Sequence, residues 1–131
     1  MKHFLPAIIF ISLMPSCKKD GHDVGEAPSS PEPAETHPWD WIPDDPELVA
    51  GRKVYLSECA ICHDEGEESA PALTRASEWR ERSQKGETVL ISHAINGFRG
   101  EDGKMPARGG TPSLTDEEVT KSVLYMLATP K

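Results

Sequence analysis

Cys59-Ala60-Ile61-Cys62-His63 decides the fold of this 131-residue chain. The stretch reads C-x-x-C-H, which is the pattern of a covalently attached c-type haem. Two thiols at this spacing, on a tight turn or a helix end, can form thioethers with the two vinyl groups of one porphyrin. The imidazole of His63 then points at the iron. A haem held in this way carries the chemistry, and the protein holds and tunes it.

Other interpretations of the motif stay open from the sequence alone. A C-x-x-C pair is also half of a zinc site or a redox-active dithiol. Zinc normally needs four ligands, and no second Cys or His pair follows Cys62. A thioredoxin-like motif expects a strand before it, whereas the residues before Cys59 have a helical pattern. The third alternative is two buried free cysteines beside a surface histidine, and we favour haem attachment over all three.

Length and charge restrict the possible functions. The chain is long enough for one small domain with appendages. Its formal net charge of −8 argues against nucleic-acid binding, because a phosphate backbone needs a basic face. An acidic protein instead suits redox partners with a positive docking patch.

Residues 1–16 have the pattern of a signal peptide. Lys2 precedes an apolar stretch that is shorter than the ~20 residues of a membrane-spanning helix. The stretch ends at Cys17 in a segment that resembles the lipobox of bacterial lipoproteins, with Met14 where leucine is usual. We expect Cys17 to be lipid-modified. The alternative is ordinary cleavage nearby, which leaves Cys17 as an odd free thiol.

Residues 17–42 are expected to form a flexible, proline-rich tether, because they are polar and have no apolar period. Trp39 and Trp41 either pack onto the domain or lie near lipid headgroups, and we favour packing. Residues 43–131 then form the folded domain. A domain of this size is marginal alone, so we expect the haem to complete its core and the haem-free chain to be largely disordered.

Helical patterns fill most of the predicted domain. The first helix starts at residues 44–47 with a capping aspartate and an early proline, and it runs into Cys59. Gly51 inside this helix is expected to mark close approach of another helix, since glycine is otherwise unfavourable there. Further helices are predicted at 77–83, at 87–96 and after the capping box that begins at Thr115, with a glycine-rich loop at 100–112.

Haem iron has two axial positions, and His63 fills one of them. Met105 is the favoured second ligand, since Pro106 fixes the local backbone and flanking glycines let the loop lie close to the porphyrin. Iron bound by both His and Met is closed to substrate and exchanges single electrons. The other candidates are Met126, expected in the core, His93, expected in mid-helix, and His22 and His37, expected to be solvated in the tether.

Taken together, these residues resemble the class I c-type cytochromes, and they look most like the short bacterial group often called cytochrome c-five. The resemblance covers about residues 46–129. It is carried by Gly51, Tyr55, the Cys59–His63 motif, Ala70-Pro71, Trp79, residues 93–97, residues 105–110, residues 114–119 and Tyr125-Met126.

The resemblance implies an all-α cytochrome c fold with four to five short helices around one covalent haem c. In that fold the first and last helices cross, which places Gly51 and Tyr55 near Val123 and Tyr125.

The resemblance also implies roles beside the haem. The carbonyl group of Pro71 should accept a hydrogen bond from Nδ1–H of His63 and so orient this ligand. Trp79, and with it Arg82, should lie near the haem propionates.

The expected function is that of a monohaem, one-electron carrier in a bacterial respiratory chain. We expect it on the periplasmic side of a membrane, held there by lipid, with redox proteins as donors and acceptors. Two alternatives remain: an electron-entry subunit of a larger oxidase or reductase, and a haem peroxidase whose sixth iron position is open. Only the second would make the chain an enzyme by itself.

Overall fold

A computed structural model describes residues 36–101 and 103–131. The predicted signal peptide, Cys17, His22 and most of the predicted tether lie outside the described residues. Within the described ranges, no helix combines the length and the apolar character needed to cross a membrane.

The first helix, α1, spans Pro46–Val54 and begins as the sequence predicts. The side chain of Asp45 accepts hydrogen bonds from the backbone N–H groups of Glu47 (2.7 Å) and Leu48 (3.4 Å), and Pro46 occupies the first helical position.

The chain does not reach Cys59 as regular α-helix, and this differs from the prediction. A wider π-helical turn, Tyr55–Cys59, follows α1, and the four-residue helix α2, Ala60–His63, completes the motif. Insertions of this kind recur at functional sites because they redirect the side chains that follow.

Two further helices lie where the sequence predicts them. Helix α3 spans Ala76–Ser83 and α4 spans Glu87–Asn96. Gly97 follows α4 with φ +81°, a conformation that side chains rarely adopt, and so ends the helix.

The predicted loop over 100–112 contains regular structure that the sequence did not indicate. Strand β1 (Phe98–Arg99) pairs antiparallel with β2 (Lys104–Met105), and Phe98 lies opposite Met105. The N–H of Gly100 donates to the carbonyl group of Gly103 at 2.9 Å and closes this short hairpin.

Helix α5, Asp116–Ala128, follows the predicted capping box. The Thr115 hydroxyl accepts from the N–H of Glu118 at 3.2 Å, and the Glu118 carboxylate accepts from the N–H of Thr115 at 2.8 Å. The described residues thus contain five α-helices, as the predicted all-α fold with four to five short helices requires, and one small hairpin that it does not.

Helices α1 and α5 cross in close contact, as the resemblance implies. A Cβ atom on Gly51 would lie 2.0 Å from the carbonyl oxygen of Lys121, so only glycine fits here. The contact falls at Lys121 and Ser122, slightly before the expected Val123. One turn further along, the rings of Tyr55 and Tyr125 lie 5.3 Å apart.

Residues 37–42, which we call the N-terminal strap, pack across this pair of helices. Arg52 donates from Nε to the carbonyl oxygen of Trp41 (3.1 Å) and from Nη2 to that of Trp39 (3.0 Å). The ring of Trp41 stacks on that of Tyr125 at 5.9 Å. The two tryptophans therefore pack onto the domain, and ordered packing extends before residue 43.

The buried apolar side chains form two groups. The Trp79 cluster consists of Tyr55, Leu73, Trp79, Tyr125 and Met126. The Val119 cluster consists of Ala94, Val119 and Val123, with Met105 among the half-buried residues that pack against it.

Candidate functional site

The two thiols of the motif have different surroundings. Cys59 and Cys62 are both half-buried and are not joined to each other. Sγ of Cys59 lies 3.3 Å from Oγ of Ser122 on α5. Burial raises the pKa of the Cys59 thiol, while the Ser122 hydroxyl acts in the opposite direction. We call residues 55–63, which carry both cysteines, the attachment turn. The contact with Ser122 links this turn directly to α5.

His63 is held in the geometry of an iron ligand. Its side chain is 7% exposed, and Nδ1 lies 3.0 Å from the carbonyl oxygen of Pro71. A carbonyl can only accept, so Nδ1 carries the hydrogen and Nε2 keeps its lone pair for a metal. Burial lowers the pKa of His63, the bond to Pro71 opposes this, and nearby Arg82 lowers it further. The structure therefore contains the hydrogen bond that the resemblance implies.

Trp79 and Arg82 differ in whether their side-chain N–H donors already have a hydrogen-bond partner. The Trp79 ring lies 6.2 Å from that of His63, and its Nε1–H donates to the carbonyl oxygen of Ala72 at 2.8 Å. That donor is satisfied by the residue after Pro71, so Trp79 helps to fix the segment that orients His63. The expected place of Trp79 near the propionates stays a prediction. Nε of Arg82 is buried without a hydrogen-bond partner in the described residues. A haem carboxylate is the kind of group that this orphaned donor needs.

Met105 packs against a different cluster from the one beside His63. It is half-buried in β2, beside the Val119 cluster, and Phe98 faces it across the hairpin. The other ligand candidates are used differently: Met126 is buried in the Trp79 cluster, the His93 ring stacks on Phe98 at 4.0 Å, and the His37 ring stacks on Trp39 at 4.5 Å.

The residues present fit a haem. His63 lies beside the Trp79 cluster and Met105 packs against the Val119 cluster. Cys59 ends the π-helical turn, and Cys62 lies within α2. Two thiols, an imidazole whose Nε2 is left for a metal and an unpartnered buried Nε of Arg82 match the thioethers, the iron bond and the carboxylate contacts that a haem would make. Within the described ranges, no three His, Cys, Asp or Glu side chains gather as a separate metal-binding group.

Sequence reasoning missed several residues that support the site. Ser122 interrupts the apolar face of α5, and a polar residue at such a position is a signal that could have been noticed. The hydroxyl of Tyr55 donates to the carboxylate of Asp64, directly after the iron ligand. The hydroxyl of Thr111 donates to the Glu58 carboxylate at 2.7 Å. These last two pairs have no local signature in the sequence, because their members come together only in the fold.

The fold and the site together define a c-type cytochrome, a small helical protein that holds haem through two cysteines and a histidine. The comparisons with known proteins agree. Residues 48–130 match the cytochrome c family. Cytochrome c-555 of Chlorobaculum thiosulfatiphilum is 38% identical over 85 residues, which are 65% of this chain and 99% of that protein. Cytochrome c-555 of Chlorobaculum tepidum is also 38% identical over 85 residues, or 65% of this chain and 79% of its own length.

A comparison with solved structures also finds a cytochrome c. A chain in the crystal structure of an electron transfer complex of nitrite reductase with cytochrome c superposes with a TM-score of 0.53 and 32% identity. The alignment covers 63% of this chain and 93% of that one.

This chain belongs to the cytochrome c family. It therefore carries covalently bound haem c, for which Cys59 and Cys62 are in position, and it is a monohaem electron carrier. The predicted haem is confirmed, so the zinc, dithiol and free-cysteine interpretations no longer apply. The N-terminal strap precedes the matched range of 48–130.

Proposed function

We propose that this chain is a one-electron shuttle of a bacterial respiratory chain, with His63 and Met105 as the two iron ligands. The observation that carries the proposal is the placement of these side chains beside different hydrophobic clusters. Filling both axial positions leaves no site for substrate, and the haem then supplies reversible one-electron exchange.

The chain's own contribution is orientation. The hydrogen bond to Pro71 fixes the ring of His63, and burial keeps that imidazole neutral and able to bind metal. The hairpin fixes Met105 through its pairing with Phe98. Both ligands are thus positioned by backbone contacts, so little rearrangement is needed when the iron changes charge.

The Met105→Ala variant tests the ligand assignment. We expect a lower midpoint potential and a new binding position for carbon monoxide or cyanide, because methionine raises the potential and closes the iron. Met126→Ala is the matched control, since Met126 is a buried core side chain in the Trp79 cluster. An unchanged spectrum and potential in Met105→Ala would exclude this ligand. Rapid peroxide turnover by the wild-type protein would favour the peroxidase alternative.

We further propose that the partners are redox proteins that present a positive docking patch. The solved neighbour is named as part of a complex with nitrite reductase, which supports a protein partner of this kind. The turn Glu67–Ser69 follows the haem motif, and Glu65, Glu67 and Glu68 are exposed there. The exposed side chain of Ile61, within the motif, adds apolar surface near these charges. An apolar centre with an acidic rim suits a complementary basic surface.

Charge reversal tests this docking surface. Glu67→Lys with Glu68→Lys should slow reduction of the ferric protein by hexaammineruthenium(II), a cationic reductant, and should weaken the salt dependence of that rate. Glu81→Lys with Glu87→Lys is the control, because it changes the net charge equally at exposed positions on other elements. Equal effects of the two pairs would contradict a local docking surface.

The proposed location is the periplasmic side of a bacterial membrane, with lipid on Cys17. The support is the sequence of residues 1–17, which resembles a lipoprotein signal. The Cys17→Ser variant should move from the membrane fraction to the soluble fraction while keeping its haem spectrum. Mild detergent extraction separates the remaining alternative, because an electron-entry subunit should co-purify with its complex and a shuttle should not.

A further inference from the structure

The Met105 segment is held by the Val119 cluster, against which Met105 packs, and by contacts with residues near it in sequence. Gly97 lies directly beneath it, since a Cβ there would be 2.9 Å from the nitrogen of Ala107. Arg108 donates from Nη1 to the carbonyl oxygen of Leu114 at 2.8 Å and pairs with the carboxylate of Asp116. These contacts shape the segment, but they do not connect it to the turn that bears the haem cysteines.

One hydrogen bond makes that connection. The hairpin itself approaches the chain after the motif, where a Cβ on Gly103 would lie 2.9 Å from the carbonyl oxygen of Glu68. The hydroxyl of Thr111 donates to Oε2 of Glu58, the residue before Cys59, at 2.7 Å. In the part of the chain that the structure describes, no other hydrogen bond joins residues 55–72 to residues 98–115. The backbone also approaches at this point, because a Cβ on Gly109 would lie 3.5 Å from the carbonyl oxygen of Glu58. The two partners are 53 residues apart in sequence.

The segment between Met105 and Thr111 needs such a link. Arg108, Gly109 and Gly110 all have positive φ, and both glycines are exposed. A turn of this composition has little packing of its own to keep it closed. Moving it outward would carry Met105 away from the attachment turn.

We propose that Glu58 and Thr111 form a clasp that keeps Met105 on the iron, so that both are positioning residues for the sixth ligand. This inference rests on the proposed role of Met105. The clasp joins the two halves of the site at a part-buried hydrogen bond with a charged acceptor, which is stronger than a neutral one. It lowers the fraction of molecules in which the iron is open, and an external ligand then binds more weakly in proportion to that fraction.

The test is imidazole binding to the ferric holoprotein. Thr111→Val keeps the shape and removes the donor, so the apparent affinity for imidazole should rise about tenfold. Thr111→Ser keeps the hydroxyl and should behave like the wild-type protein. Thr120→Val is the matched control, because the hydroxyl of Thr120 bonds only within α5, to the carbonyl oxygen of Asp116 at 2.7 Å.

Removal of the acceptor gives an independent measurement if Thr111→Val loads haem poorly. Glu58→Ala should raise the affinity for imidazole by a similar factor, and adding Thr111→Val to it should raise it no further. Additive effects of the two substitutions would contradict the clasp.

The Met105→Ala variant distinguishes a failure of the proposed clasp from a failure of the proposed iron ligand. If Met105→Ala binds imidazole more tightly than the wild-type protein but Thr111→Val and Glu58→Ala do not, the clasp is wrong and the ligand assignment stands. If Met105→Ala also leaves imidazole binding unchanged, the proposed ligand itself is wrong.

Discussion

The carbonyl oxygen of Lys121 occupies the space in which a side chain on Gly51 would begin, 2.0 Å from an ideal Cβ position. The main chains of α1 and α5 therefore meet without an intervening side chain. The Tyr55–Tyr125 contact and the contact of Cys59 with Ser122 depend on the same approach of the two helices.

Gly51→Ala should separate the two helices and destabilise the holoprotein. Backbone atoms cannot move aside as a flexible side chain can, so we expect a loss of about 1–3 kcal/mol in the free energy of unfolding. Denaturant unfolding followed by helical circular dichroism measures this loss. Gly100→Ala is the control, because a Cβ there meets its nearest atom, in the Phe98 side chain, at 3.5 Å. Equal stability of the two variants would show that the crossing tolerates a side chain.

Tyr55 should make stability depend on alkaline pH. The side chain is fully buried, and burial, followed by its bond to Asp64, raises its pKa above the usual 10.0. The folded state thus favours the protonated form, and this contribution is complete below about pH 10 and is lost as the pH rises further. Between pH 10 and 11, the wild-type protein should lose about 1 kcal/mol more stability than Tyr55→Phe. Parallel stability profiles across this range would refute a buried, protonated Tyr55.

The N-terminal strap should stabilise the domain. A chain that starts at residue 36 keeps the strap, and a chain that starts at residue 43 lacks both tryptophans. We expect the shorter chain to unfold at a lower temperature, because Tyr125 loses its stacked partner. Arg52→Met should lower the free energy of unfolding of the longer chain by about 1–3 kcal/mol, since the carbonyl groups of Trp39 and Trp41 lose the bonds from Arg52 and keep only the longer contacts with the Tyr125 hydroxyl, at 3.3 and 3.5 Å. In the chain that starts at 43, the same substitution should have a much smaller effect.

The covalent haem should be needed for the fold. The double variant Cys59→Ser with Cys62→Ser cannot form thioethers, and a domain of this size has a marginal core without the haem. We expect its far-ultraviolet circular dichroism to show mostly disordered chain. Native-like helical signal from the haem-free double variant would contradict this expectation.

Local sequence signals predicted the helices well. Asp45 and Thr115 cap α1 and α5, and Gly97 ends α4, because each of these effects acts within a few residues. The hairpin around Met105 was missed, since strands of two residues carry no periodic pattern. The π-helical turn before the motif was also missed, because one wide turn in a helix is too short to change the apolar period.

Long-range contacts of the site were predicted only where the resemblance supplied them. The bond from His63 to Pro71 is an example. The Thr111–Glu58 pair could not be foreseen, because two ordinary surface-type residues 53 positions apart give no local signal. Packing of Trp39 and Trp41 was expected, but their hydrogen bonds to Arg52 were not. Such pairs become visible only when the fold brings them within bonding distance.

The imidazole of His63 is oriented by a carbonyl group of the main chain rather than by a neighbouring carboxylate or amide side chain. Every amino acid at position 71 would bring that acceptor with it. Substitution of residue 71 would therefore leave the acceptor in place. The orientation of the His63 ring changes only if the path of the backbone changes. Surface charges and electron-transfer partners can therefore change during evolution while the orientation of the histidine ligand stays the same.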